Sequence, residues 1–171
     1  ASHGQGKLAA SLSADGVGQA YEYDAAGRLT AVEETLDAGT PEAESFRLET
    51  TYDALGRTLD TKYPEVPGRA RFVVRADYDA HGYLVTRSDV TDPAAPVTLW
   101  HVDARELDGA LAQATLGDGV VSTEAHDPST GRLTLAQASL PGQAVPLFSM
   151  GRSEEHTSEL QSPCNLVCRL L

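Results

Sequence analysis

Apolar and polar residues alternate in short runs along this chain, and most runs stop at an aspartate followed closely by a glycine. From Gln19 the order Gln-Ala-Tyr-Glu-Tyr puts Tyr21 and Tyr23 on one side of an extended backbone and Ala20 and Glu22 on the other. A period of two is the mark of a strand, because successive side chains point to opposite faces. The run breaks at Asp24-Ala25-Ala26-Gly27 and resumes as Arg28-Leu29-Thr30-Ala31-Val32. The break suits a tight turn. The aspartate carboxylate accepts from a backbone N–H two residues on, and the glycine takes a left-handed conformation that lets the second strand leave in register. The pattern predicts a hairpin.

The phrase "YEYDAAGRL" (21 to 29) then returns as "TYDALGRTL" (51 to 59), "DYDAHGYLV" (77 to 85) and "AHDPSTGRLTL" (125 to 135), with a degenerate copy, "ELDGAL", at 106 to 111. Aligned on Gly27, Gly56, Gly82, Gly109 and Gly131, the copies are spaced by 29, 26, 27 and 22 residues. A second register supports the first: Asp-Gly-Val at Asp15 and again at Asp118 precedes the turn aspartates Asp24 and Asp127 by nine residues. Self-similarity at such periods indicates a repeat architecture. The last copy lengthens its loop by one residue, with Pro128 after Asp127. "RARFVVRADY" (69 to 78) and "VTLWHVD" (97 to 103) also read as strands, and "DAGTPEAES" (37 to 45) and "DVTDPAAP" (89 to 96) as loops. No long helical period occurs, so the expected class is all-β, built of repeated β-hairpins. A lone hairpin is marginal in water, so the hairpins are expected to stack and bury one another's Tyr, Leu and Val faces.

Composition sharpens this picture. Of 171 residues 41% are hydrophobic but only 6% aromatic, which leaves little for a compact core. The net charge of -12 argues against nucleic acid, whose phosphates need a basic surface, and against an anionic membrane. No apolar run approaches the ~20 residues of a membrane-spanning helix. The chain begins at Ala1 without a signal peptide, so its start is expected to lie inside something longer.

The segment from Arg152 to Leu171, "RSEEHTSELQSPCNLVCRLL", carries no repeat element and holds both cysteines, Cys164 and Cys168. It resembles the in-frame translation of a short-read sequencing adapter. The expected organisation is therefore a repeat sheet of about five units over 1–151 and a non-native tail, irregular or disordered, over 152–171. Cys164 and Cys168 with His156 are thin support for a metal site, and a capped helix over 153–161 is an equally weak reading.

The phrase Tyr-Asp-x-x-Gly-Arg-Leu resembles the YD repeat of the Rhs family, whose relatives include cage components of bacterial insecticidal toxin complexes, wall-associated bacterial proteins and the teneurins. The resemblance covers about residues 5 to 140. It is carried by Tyr23, Asp24, Gly27, Arg28, Leu29, Tyr52, Asp53, Gly56, Arg57, Tyr78, Asp79, Gly82, Asp127, Gly131, Arg132 and Leu133. Tyr83 stands where the family has Arg, Thr58 where it has Leu, and His126 where it has Tyr. The resemblance implies a spiral β-sheet that is part of a hollow shell. It also implies neighbouring repeats and an enclosed C-terminal toxin as partners, and a secreted or cell-envelope location for the parent protein.

Nothing in the residues themselves points to catalysis. The aspartates Asp24, Asp53, Asp79 and Asp127 have turn-forming positions, and the histidines His3, His81, His101, His126 and His156 show no ligand spacing. No phosphate loop, nucleophile elbow, zinc-protease helix or calcium loop occurs, so no cofactor or metal is expected. Arg28, Arg57 and Arg132 hold one fixed place after their glycines and are expected to line up beside the turn aspartates or nearby glutamates as a partly exposed charge network. Two uses of such a sheet follow: a structural wall around a toxin, or an extracellular module whose aromatics, Tyr21, Tyr23, Tyr78 and Trp100 among them, bind cell-surface carbohydrate.

Overall fold

A computed structural model describes residues 4–152 and 158–161. The chain divides into two compact units, Ala1–Ala76 with Asp89–Pro96, and Asp77–Ser88 with Val97–Leu171. Among the described residues every regular element is a strand, so the fold is all-β, as the alternating pattern predicts.

The first unit holds β1 (Ala10–Leu12), β2 (Gly18–Tyr23), β3 (Leu29–Leu36), β4 (Glu44–Tyr52), β5 (Thr58–Lys62) and the start of β6 (Val73–Tyr78). They lie in chain order, each antiparallel to the one before. The register sets two different faces. Tyr21, Val32 and Leu48 stand opposite one another on one face. On the other, Glu22 faces Ala31 and Ala31 faces Glu49, beside Ala20, Glu33 and Arg47.

The second unit holds β7 (Leu84–Asp89), β8 (Val97–Arg105), β9 (Leu111–Leu116), β10 (Val121–His126), β11 (Leu133–Ser139), β12 (Phe148–Arg152) and β13 (Ser158–Gln161), again in chain order. From β8 onward all neighbours are antiparallel. The segment predicted to start a strand at Arg69 does so only at Val73, because a turn closed by Arg69 N–H donating to the Val66 carbonyl comes first.

Hairpins here pair edge to edge, and the expected burial of Tyr, Leu and Val faces is partial: Tyr21, Leu29, Val32 and Leu48 are half-buried. The buried residues among those described are three alanines, Ala31, Ala76 and Ala114. Ala114, with 0% of its surface exposed, is small enough for its cross-strand neighbours Val102 and Ser122 to close over it. Phe46, Tyr63, Phe72 and Leu116 each keep more than a third of their surface exposed. With so little apolar burial, stability must come from the continuous hydrogen-bond ladder and from side chains that tie one hairpin to the next.

The tail departs from expectation in one place. Ser158–Gln161 forms a strand paired with β12, from Ser149↔Gln161 to Arg152↔Ser158, where irregular or disordered chain is expected. The free edge of β12 offers unpaired backbone groups, and any following chain with extended backbone can satisfy them. His156, Cys164 and Cys168 lie outside the described residues.

Candidate functional site

The repeated phrase builds a joint between hairpins, and its geometry starts at the turn. Asp24 N–H donates to the Arg28 carbonyl and Gly27 N–H donates to the Asp24 carbonyl, both at 2.9 Å. Gly27, at φ 77°, supplies the left-handed step that closes such a loop. The Asp24 carboxylate fixes the inside of the turn: Oδ1 accepts from the N–H groups of Ala26 and Arg28 at 2.9 Å, and Oδ2 accepts from Arg28 Nε at 2.7 Å. Asp53 repeats this pattern atom for atom with Leu55 and Arg57. Asp79 accepts from the N–H groups of His81 and Tyr83 in the same way. These contacts hold the carboxylates below their usual range. At Asp24 the leading cause is the Arg28 N–H; at Asp53 and Asp79 desolvation pushes upward and is outweighed by the turn N–H donors.

The degenerate copy keeps the turn and moves its acid. Glu106 N–H donates to the Ala110 carbonyl and Gly109 N–H to the Glu106 carbonyl, but the turn carboxylate is now Asp108, which accepts from Ala110 N–H. The Asp-Gly-Val segments are the same loop: Ser13 to Val17 and Leu116 to Val120 close identically, with Asp15 and Asp118 in the third position. The two registers read from the sequence are thus one turn with its aspartate placed first or third.

The longer loop at Asp127 differs. Gly131 N–H donates to the Asp127 carbonyl across the extra residue, and Asp127 Oδ1 accepts from the Ser129 hydroxyl at 2.5 Å and from the N–H groups of Ser129 and Thr130 at 2.8 Å. The Ser129 hydroxyl, then these N–H groups, bring its pKa down to about 2. The expected pairing of Arg132 with its turn aspartate is absent among the described contacts: the Arg132 side chain is exposed, in a loop one residue longer than those of Arg28 and Arg57. A group depressed from its ordinary 3.8 to about 2 adds stability that is complete above 3.8 and vanishes as pH falls through about 2. Replacing Asp127 with Asn should therefore flatten the fall in melting temperature across that window. Parallel melting curves for the two chains from pH 3.8 to about 2 would refute this.

Beyond the turn, each motif reaches into the next hairpin. Arg28, held by Asp24, lies with its Cζ 4.6 Å from the centre of the Tyr52 ring, and Tyr52 Oη donates to the Leu29 carbonyl at 2.6 Å. Asp24, Arg28 and Tyr52 thereby staple two successive hairpins by an ion pair, a cation–ring contact and a hydrogen bond. The joint has an earlier copy that sequence reading missed. Gly6-Lys7-Leu8 does for Tyr23 what Gly27-Arg28-Leu29 does for Tyr52: Lys7 Nζ lies 5.1 Å from the Tyr23 ring centre, and Tyr23 Oη donates to the Leu8 carbonyl at 2.9 Å. The signal was a Gly-Lys-Leu in the place of Gly-Arg-Leu, without the Tyr-Asp that marks the other copies.

The copies that depart from the phrase keep a joint of another kind. Tyr83 follows its turn glycine, and Arg105 stands just before Glu106, the first residue of the next motif turn. Arg105 Cζ lies 4.8 Å from the Tyr83 ring centre, with Nη2 donating to the Leu84 carbonyl at 2.7 Å and Nη1 to the Gly109 carbonyl at 3.0 Å. At the following joint Ala110 has no group to offer, and His126 Nδ1 sits 3.1 Å from Glu106 Oε1. Arg57 pairs with Asp53 at 2.7 Å. Tyr78 ends β6, and Gly82 has φ 91°.

A second charged cluster, invisible in the repeat phrase, lies on the alanine face of the first unit. Arg47 grips Glu22 with both terminal nitrogens at 2.8 Å and Glu49 through Nε at 2.9 Å, and Arg71 reaches Glu49 at 3.1 Å. Hydrogen bonds from Arg47 lower the pKa of Glu22 and of Glu49 and raise that of Arg47 itself. The alternation of β2, β3 and β4 puts these long side chains over Ala31. Among the described residues no three His, Cys, Asp or Glu side chains gather as a metal site, and no helix is long and apolar enough to cross a membrane.

The structure is an all-β sheet of repeated hairpins in which Asp24, Gly27, Asp53 and Gly56 close turns and Arg28 and Tyr52 join one hairpin to the next. No protein-family model and no curated protein matches the chain. Solved structures do share its fold. The chain is similar to one in the crystal structure of TcdB2-TccC3-Cdc42, with a TM-score of 0.61 and 15% identity over 81% of this chain and 7% of that one. It is similar also to a chain of TcdB2-TccC3 without hypervariable C-terminal region, with a TM-score of 0.61, 16% identity and the same coverages of 81% and 7%. For a chain of the Photorhabdus luminescens Tc holotoxin pore the TM-score is 0.63, with 14% identity over 86% of this chain and 8% of that one. At these identities the likeness is one of fold, and this chain spans less than a tenth of the length of those it matches. It agrees with the resemblance to the Rhs family carried by the repeated phrase.

Proposed function

We propose that this chain is a wall segment of an Rhs-type shell that encloses a C-terminal toxin in its parent protein, and that it has no catalysis of its own. The observation that carries this reading is the layout of the repeat: Asp24, Gly27, Arg28, Tyr52, Asp53, Gly56 and Arg57 are used to close a turn or to join one hairpin to the next. A wall needs those two operations repeated many times. The likeness in fold to chains of Tc toxin structures supports the same reading. The partners are then further repeats and the enclosed domain, and the parent is secreted or held at the cell envelope. Electron microscopy of the complete gene product should show a hollow particle whose C-terminal domain resists protease until the wall is denatured. A solid or filamentous particle with a freely cleaved C-terminal domain would overturn the proposal.

One observation favours the second reading, a carbohydrate-binding module. Tyr63 and Phe72 form a tilted ring pair, centroids 5.3 Å apart, with 41% and 38% of their surfaces exposed. Exposed rings of this kind stack on sugar faces. Tyr23, by contrast, already has Lys7 over its ring. A glycan array with no signal at millimolar sugar would remove this reading.

A further inference from the structure

We propose that at two joints the residue after the turn glycine and the residue before the first residue of the next motif turn, Arg28 with Tyr52 and Tyr83 with Arg105, form a matched pair that selects which hairpin follows which, and that this pair can be exchanged end for end. At one joint the cation comes first and the ring second, Arg28 then Tyr52; at another the ring comes first and the cation second, Tyr83 then Arg105. The contacts are otherwise the same. Cation-to-ring distances are 4.6 and 4.8 Å. In both, the residue before the next motif turn donates to the carbonyl of the leucine after the first partner, Tyr52 to Leu29 and Arg105 to Leu84. A phenol oxygen and a guanidinium nitrogen are both donors, so either can make that bond; a ring and a cation attract in either order.

The turn acids have adjusted to the exchange. Where the guanidinium follows the glycine, Asp24 Oδ2 holds Arg28 Nε. Where the ring follows it, Asp79 keeps only its turn N–H donors, and the cation is held by the carbonyls of Leu84 and Gly109 instead. The contact of Glu106 with His126 lies outside this pairing, at a copy whose post-glycine residue is Ala110. A hairpin moved to another place in the array would meet the wrong partner: ring against ring, or guanidinium against guanidinium. This selection holds whatever the array encloses, so its failure and that of the wall proposal are separate.

The test is a double-mutant cycle on the 171-residue chain. Tyr83→Arg alone sets two guanidiniums at one joint, and Arg105→Tyr alone sets two rings. Each single change should lower the melting temperature by about 2–4 °C. The double variant Y83R/R105Y restores one ring and one cation in the order of the Arg28 joint, and it gives Asp79 a guanidinium to hold. It should recover most of the loss and keep the Glu106 amide protected from hydrogen exchange. Single variants that fail to fold leave the double decisive, since it must still fold. Additive losses in the double, or a double that does not fold, overturn the proposal.

Discussion

Gly109→Ala should lower the melting temperature of this chain by about 4–10 °C, more than the same change at Gly119. Both glycines close the same kind of turn, at φ 90° and 87°. An alanine in that region costs ~1–2 kcal/mol at either site, because its Cβ crowds the backbone. The surroundings separate them. A Cβ at Gly119 would meet open space, whereas at Gly109 it would lie 2.7 Å from Tyr83 Cζ and 3.1 Å from Cε1. The ring must leave, and with it goes the contact with the Arg105 guanidinium, worth ~0.5–1 kcal/mol at an exposed site. At Gly27 and Gly56 the nearest atoms are the ends of flexible side chains, Lys7 and Arg28, which can swing aside. Thermal melts of G109A and G119A measure the difference directly. Equal losses would show that Tyr83 does not pack on the turn.

That contrast also shows what the sequence could reveal. Turns were legible because their chemistry is local: Asp24, Gly27 and their repeats sit within five residues of each other, and the carboxylate and the left-handed glycine act inside that span. Strand identity was legible for the same reason, through alternation over a few residues. The joints were not, because they link residues 16 to 24 apart. Tyr23 reaches Lys7, and Tyr52 reaches Arg28. Read one repeat at a time, Tyr83 was a weakened copy of an arginine position; only with Arg105 beside it does it become the other half of an exchanged pair. Arg132 misled in the opposite way. It matches the phrase, but it follows a loop one residue longer, whose Asp127 Oδ1 gathers Ser129 and Thr130, and its own side chain is exposed. The shallow burial was foreshadowed by the shortage of aromatics, yet edge-to-edge pairing in place of face stacking depends on register, which no single hairpin contains.

Gly117→Ala should destabilise the second unit by ~1–3 kcal/mol, by overpacking rather than by backbone strain. Its backbone is not in the left-handed region, so an alanine could adopt the conformation freely. The obstacle is the start of β8. A Cβ at Gly117 would lie 2.6 Å from the Thr98 carbonyl oxygen and 3.3 Å from Leu99 Cα. Backbone cannot swing aside as a side chain does, so β8 and the turn would have to separate. The hydrogen bond from Gly117 N–H to the Leu99 carbonyl, now 2.8 Å, would lengthen with them. In the matching turn Ser13 to Val17 the same position is Ala14, which shows that the turn itself accepts a methyl group. The requirement for glycine therefore comes from the neighbouring strand alone. In G117A the amide of residue 117 should lose hydrogen-exchange protection while the Gly131 amide, in a turn with its own closure, keeps it. Uniform loss at both amides would mean that the unit opens as a whole and that the close approach to Thr98 is not the cause.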